Sequence, residues 1–180
     1  MTREPRAKPA RPTPPLTLSR AVAVFFGAGL LRPAPGTWGS AAALGLGLVL
    51  HGIGHFPLLA AATLAAIGWG FWACERELAD RPGEDPSEIV IDEVAGQWLA
   101  LLFPSFGFWL MGLDSWHFPW PGWVAAFVFF RLFDIWKPWL VGRADARHDA
   151  AGVMLDDLWA GLFAGIATMI AAGLAHGLLM

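Results

Sequence analysis

The sequence predicts an all-α, polytopic membrane bundle, with about four to five transmembrane helices preceded by a short N-terminal interfacial helix. Three observations predict it. Hydrophobic residues fill 56% of the 180 positions and charged residues only 15%, against about 25% in an ordinary soluble domain. Charge is missing over long stretches: Pro33 to Cys74, Val94 to Leu113, Ser115 to Phe130 and Leu158 to Met180. The 12 Lys and Arg cluster in segments that alternate with two uncharged or acidic turns. One cysteine excludes a disulfide scaffold and a cysteine-built zinc site. A net charge of −3 offers no overall basic surface for nucleic acid. The 11 Trp, with no Tyr, suit anchoring at a membrane interface.

The elements follow in order. Residues 1–16 hold Arg3, Arg6, Lys8 and Arg11 among prolines and read as a disordered basic tail; residues 17–180 form a single helical domain. Residues 18–31 are apolar but too short to span, which suits an interfacial or protein-packed helix. A crossing needs about 20 apolar residues. The first uncharged stretch holds two such segments, 39–54 and 57–75, separated by a turn at His51 to Pro57. Two more, 92–112 and 121–138, form a second hairpin about a Pro- and Trp-rich turn at Phe103 to Gly122, and a fifth runs over 157–177. With the N-terminus inside, every Lys and Arg lies in or near an inner segment, and the outer turns carry only Asp114. His51, His55, His117 and His176 then fall on the outer side as interfacial residues, with Trp109, Trp116, Trp120 and Trp123 as an aromatic belt. Cys74 reads as a small packing residue.

Four polar clusters share the inner side. Pro35-Gly36-Thr37-Trp38-Gly39-Ser40 opens the first crossing; Thr37 or Ser40 suits a cap, and the free N–H groups there favour phosphate. Asp92 and Glu93 enter the third crossing one to two turns after Asp85 or Ser87, either of which suits its cap. As neighbours about 100° apart, the two acids are expected to face different directions. Arg131, Asp134 and Lys137 recur at i, i+3 along one helix side, and Pro138 ends that helix. Arg143 to Asp149 forms a charged inner loop, and Asp156 and Asp157 stand at the start of the last crossing. Acids at membrane depth point to function. Five carboxylates from three helices suit a divalent ion such as Mg²⁺ or Mn²⁺, with Arg131, Lys137, Arg143 and Arg147 left for phosphate oxygens. Metal and phosphate at headgroup level point to chemistry on a phospholipid.

These clusters resemble the phosphatidylglycerophosphatase A family over residues 27–165. The matching runs are Gly27 to Ser40, Ser87 to Gly96, Phe130 to Pro138 and Gly152 to Gly161. The resemblance implies a bacterial, Mg²⁺-dependent enzyme of the inner membrane that removes the terminal phosphate of phosphatidylglycerophosphate. It implies a multi-pass protein whose N-terminus and active site face the cytoplasm. The run His148 to Gly152 departs from the family's His-Gly-Gly pattern except at Gly152, so His148 is left out of the expected site. Asp92, Glu93, Asp134, Asp156 and Asp157 are the expected metal and catalytic residues, with Glu93 the first choice for general base. Thr37, Ser40, Arg131, Lys137 and Arg143 are expected on the phosphate. Attack by water and attack by an Asp carboxylate both fit this set. The expected partners are a phospholipid substrate and the bilayer, without nucleic acid; the oligomeric state is open. A cation transporter would spread its acids through the depth of the bundle, and a scaffold would not need them.

Overall fold

The computed structural model describes residues 16–81, 84 and 86–179, so nearly all of the expected tail and Asp85 lie outside it. Among the described residues every regular element is helical: α1 (Leu18–Ala23), α2 (Pro35–Leu78), α3 (Ile91–Leu110), α4 (Trp120–Trp136), α5 (Leu140–Asp145) and α6 (Ala150–Leu179), with a 3₁₀ turn at Phe25–Leu30.

By length and composition two described helices suffice to cross a membrane, α2 and Ala150–Gly177 of α6, fewer than the four to five crossings expected. Physical reasons are visible for each difference. α4 has only 17 residues, about 25 Å at 1.5 Å per residue. α3 spends its first turn on Asp92 and Glu93. α2 is 44 residues long, some 66 Å, about twice what a crossing needs. It contains both segments expected of the first hairpin. Gly54 (φ −143, ψ 20) and His55 (φ 54, ψ −156) leave helical geometry, and the chain reverses there. The reversal shows in the contacts: Gly39 lies against Val90, Gly47 against Trp98 and Leu101, and Gly70 against Ile91 and Met154, so both ends of α2 meet the start of α3. Only 28% of the most apolar window of either helix is buried inside the fold, which leaves most of its surface facing outward.

The helices lock together through small residues and a few polar ties. Trp98 donates its indole N–H to the Ala43 carbonyl at 2.7 Å, pinning α3 to the first half of α2. Gly96 and Gly161 meet backbone to backbone where α3 crosses α6. Small residues allow this approach in apolar bundles, where packing rather than water drives association. α1 is protein-packed: Val90 donates its N–H to Ala23 at 2.8 Å, and the buried Arg20 reaches Glu77 at 3.7 Å and Glu88 at 3.4 Å.

Several local expectations change. Neither Thr37 nor Ser40 caps α2; Ala34 is its N-cap, Pro35 fills the first turn and Ser40 instead donates to the Gly36 carbonyl at 2.7 Å. Nor does Ser87 cap α3, which follows Val90 without a side-chain cap, so the two acids sit in its first turn. α6 begins at Ala150, a turn or more earlier than expected, because Asp149 accepts the Gly152 N–H at 2.6 Å and caps it. The Arg147 guanidinium beside Asp149, aided by that N–H, holds this carboxyl below its usual range, so the cap survives mild acid. Asp156 and Asp157 therefore lie in the second turn of α6. His51 is not interfacial: it is fully buried and shares a 2.7 Å hydrogen bond with Ser105. Cys74 is buried, as a packing residue should be.

A side chain at Gly96 would meet the Asp157 carbonyl at 2.5 Å and the Phe130 ring at 2.6 Å. Gly96→Val should cost about 1–3 kcal/mol or more through overpacking. Thermal unfolding in detergent checks this; an unchanged midpoint would contradict the α3–α6 crossing.

Candidate metal and phosphate site

A cavity of about 380 Å³ opens where the start of α2, the first turn of α3, the end of α4, α5 and the second turn of α6 come together. It is walled by Gly36 and Thr37, by Asp92 and Glu93, by Arg131, Asp134, Ile135 and Lys137, and by Asp145, His148, Asp156 and Asp157. All five acids expected from sequence, Asp92, Glu93, Asp134, Asp156 and Asp157, thus meet in one place, contributed by three helices.

The innermost group is Asp92, Glu93 and Asp157, which offer carboxylate oxygens all within 4.8 Å of one another. Asp92 and Glu93 both reach this point, against the expectation that neighbours on a helix diverge. The first turn lies beside the cavity, and Gly36 opposite leaves room for the Glu93 carboxylate, which a Cβ there would strike. Asp92 also accepts the Glu93 N–H at 3.0 Å, and Asp156 accepts the Asp157 N–H at 2.9 Å, so each pair fixes its own backbone. Asp92 and Asp157 are 9% and 3% exposed.

The other two acids are engaged with cations. Asp134 pairs with Arg131 at 2.6 Å while still interacting with Glu93 and Asp157. Asp156 pairs with Lys137 at 2.8 Å, and Asp145 holds the same ammonium at 2.5 Å. Lys137 does not continue the Arg131–Asp134 stripe, because it closes α4 in the left-handed region (φ 51, ψ 54) ahead of Pro138. Arg131 also donates to the buried Ser40 hydroxyl at 3.2 Å, crossing from α4 to α2. Ser40 thus supports the site one turn below its wall, whereas Thr37 lines it. Arg143 is exposed on α5 and does not line the cavity.

Sequence reasoning passed over Asp145 and His148. Asp145 was read only as part of a charged loop, and His148 was set aside by its altered neighbours. The fold brings both to the cavity because α5 is a six-residue helix between Lys137 and the α6 cap. From sequence Gly36 belongs to a turn whose glycines allow close backbone approach to a ligand; in the structure it makes space for Glu93.

The donor set suits a divalent metal. Glu93 Oε2 and Asp157 Oδ1 are buried without a hydrogen-bond partner. Such atoms are costly unless something satisfies them. Three carboxylates of like charge, all hard oxygen donors, match Mg²⁺ or Mn²⁺. Asp157→Asn and Glu93→Gln should each weaken Mn²⁺ binding by about tenfold or more, on the scale of a lost metal-site interaction. Electron paramagnetic resonance titration of the purified protein measures it, and wild-type affinity in both variants would overturn the site.

The phosphatidylglycerophosphatase A family matches residues 21–172. A Haemophilus influenzae protein named phosphatidylglycerophosphatase A is 36% identical over 148 residues, covering 81% of this chain and 83% of its own. The Escherichia coli protein of that name is 34% identical over 148 residues, covering 81% and 78%. A Bacteroides thetaiotaomicron protein, named provisionally as a phosphatidylinositol-3-phosphatase, is 35% identical over 152 residues, covering 81% and 88%. No solved structure matches the chain. With a family match across most of its length and relatives above one-third identity, the chain belongs to the phosphatidylglycerophosphatase A family.

Proposed function

We propose that this chain hydrolyses the terminal phosphate monoester of phosphatidylglycerophosphate, giving phosphatidylglycerol and inorganic phosphate in phospholipid synthesis. The family and the names of the relatives support the reaction. The single observation that carries it is the cavity itself: unpartnered buried carboxylate oxygens share it with Arg131, Lys137 and the start of an apolar helix.

Asp92, Glu93 and Asp157 would hold Mg²⁺, which when bound supplies Lewis-acid polarisation of the phosphoryl group and offsets its charge. The chain's own residues do the rest. Arg131 and Lys137 face the phosphate as cations, each held in place by a carboxylate so that it points inward. The first N–H groups of α2, at Gly36 and Thr37, lack helical partners and lie in the wall, where an anion is favoured. Ser40 holds Arg131 in register from below. Glu93 accepts the proton of the attacking water as the new P–O bond forms and the P–O bond to glycerol breaks; the departing alkoxide takes a proton from water. Asp134 and Asp156 act through the cations they hold.

In this reading the protein is multi-pass in the bacterial inner membrane. Both halves of α2 cross it, as does α6, and α3 and α4 cross as shorter spans, α4 with 17 residues at the lower limit of about 17 for a crossing, with the cavity and N-terminus cytoplasmic. The distribution of Lys and Arg supports that orientation, and the bacterial relatives support the setting. The third relative's name makes a phosphoinositide the competing substrate.

Purified protein should release inorganic phosphate from phosphatidylglycerophosphate with Mg²⁺, and EDTA should abolish it. Asp92→Asn, Glu93→Gln and Asp157→Asn should each lower kcat at least about a hundredfold while the protein still folds in detergent. Full activity in all three, activity untouched by EDTA, or a preference for phosphatidylinositol 3-phosphate would refute the assignment.

A further inference from the structure

The turn that brings Lys137 into the cavity has a second product that hydrolysis does not use. Trp139 sits two residues on at φ 45, ψ −104, beside Lys137 at φ 51, ψ 54. These two left-handed residues send the ammonium inward to Asp145 and Asp156 and leave the Trp139 ring 83% exposed. Non-glycine residues seldom hold such conformations unless the surroundings require them.

Trp139 does not stand alone. Its ring lies edge-on to Phe163 with centroids 6.2 Å apart. Phe163 meets Phe133 at 6.2 Å and Trp159 at 6.1 Å, and Phe133 stacks on Phe129 at 6.4 Å. Phe163 follows Asp156 by seven residues, two turns deeper on nearly the same side of α6; Phe129 and Phe133 descend α4 from Lys137 in the same way. An aromatic seam between α4 and α6 therefore lies two turns along α6 from Asp156, joined at Trp139 to the turn that carries Lys137. Apart from Trp139, its members are partly buried against the core.

We propose that this seam is the track for the diacylglycerol part of the phospholipid substrate, with Trp139 at the level of the glycerol esters. The inference rests on the lipid-phosphatase reading above. A phosphate held in the cavity must leave its acyl chains toward an apolar surface, and this one includes Trp139, two residues beyond the cavity's own lysine. From Asp156 to Phe163 is about 10 Å along α6, a span matching a glycerophosphate headgroup. An indole places an apolar face and a polar N–H together, as an ester-level contact needs. A second apolar groove, between α1, the later half of α2 and α3, is lined by Leu18, Val22, Trp69, Ile91 and Val94 and is the competing track for the acyl chains.

Photolysis of a phosphatidylglycerophosphate carrying a diazirine on one acyl chain, bound to the full chain in detergent micelles, tests the track. Labels are expected on residues 159–163 and 129–133. Labelling confined to the second groove, or spread evenly over the apolar surface as for bulk lipid, would overturn it. Trp139→Ala should lower the ratio of kcat/KM for the diacyl substrate over its deacylated counterpart about tenfold, through KM, and Trp139→Phe should restore most of it. Equal losses on both substrates, or none on either, would also overturn it. Labelled seam residues in a wild-type protein that frees no phosphate would refute the phosphatase reading and leave the lipid track standing.

Discussion

Mutual repulsion among buried carboxylates governs how this bundle is put together. Oxygens of Asp92, Glu93 and Asp157 fall within 4.8 Å of one another at the end of an apolar fold. At an effective dielectric of about 20, two unit charges at that distance repel by roughly 3 kcal/mol. Three such pairs would rival the whole stability of a domain, about 5–15 kcal/mol. The surroundings meet the charge of the outer acids and not that of the inner three. Asp134 and Asp156, the next acids outward, are neutralised by Arg131 and Lys137, and Asp145 adds a second hold on the lysine. Among the described residues the inner three form no ion pair, and two of their oxygens have no hydrogen-bond partner. The fold thus separates carboxylates that hold a protein cation from carboxylates grouped closely enough to share a metal ion.

Close approach of the helices is the second half of the same problem. Between helices in lipid, apolar burial gives little drive, so backbones must come near enough for packing to count. Gly96 against Gly161 lets α3 reach α6, which brings the first turn of one beside the second turn of the other. Gly36 does the equivalent for α2, where any side chain would occupy the space of the Glu93 carboxylate. Without these contacts the five acids would remain on separate helices, near in depth but too far apart laterally to share an ion.

Much of this was legible in the sequence, and the rest was not for identifiable reasons. Gaps between charges located the helices, and the placement of Lys and Arg grouped the four polar clusters on one side. The reversal inside α2 was signalled by His51 to Pro57, although it narrows to Gly54 and His55. Caps were harder: Thr37, Ser40 and Ser87 all have capping chemistry, but Pro35 and Val90 occupy the starts of the helices, and Asp149 supplied a cap that lengthened α6. Periodicity assigned Lys137 to the Arg131 stripe because nothing local reveals a left-handed residue ahead of Pro138. His51 looked interfacial because it falls in the expected outer turn; its hydrogen-bond partner, Ser105, is 54 residues away. Arg143 looked like an anion ligand by charge alone, and the helical turn of α5 carries it outward.

That turn after α4 also explains how one short segment serves two solvents. Pro138 has no N–H to extend the helix, so α4 stops within a residue of its last internal bond, from the Lys137 N–H to Phe133 at 2.8 Å. Had the helix run on, Lys137 would fall below Arg131 and Asp134 on one stripe, and its ammonium would compete for Asp134. Closing in the left-handed region instead swings it toward α5 and α6, where Asp145 and Asp156 are waiting, and the same change of direction exposes Trp139. The polar wall of the cavity and the start of the aromatic seam are therefore set by one backbone feature. A change that relaxed it would disturb the charge balance of the site and the apolar surface beside it together.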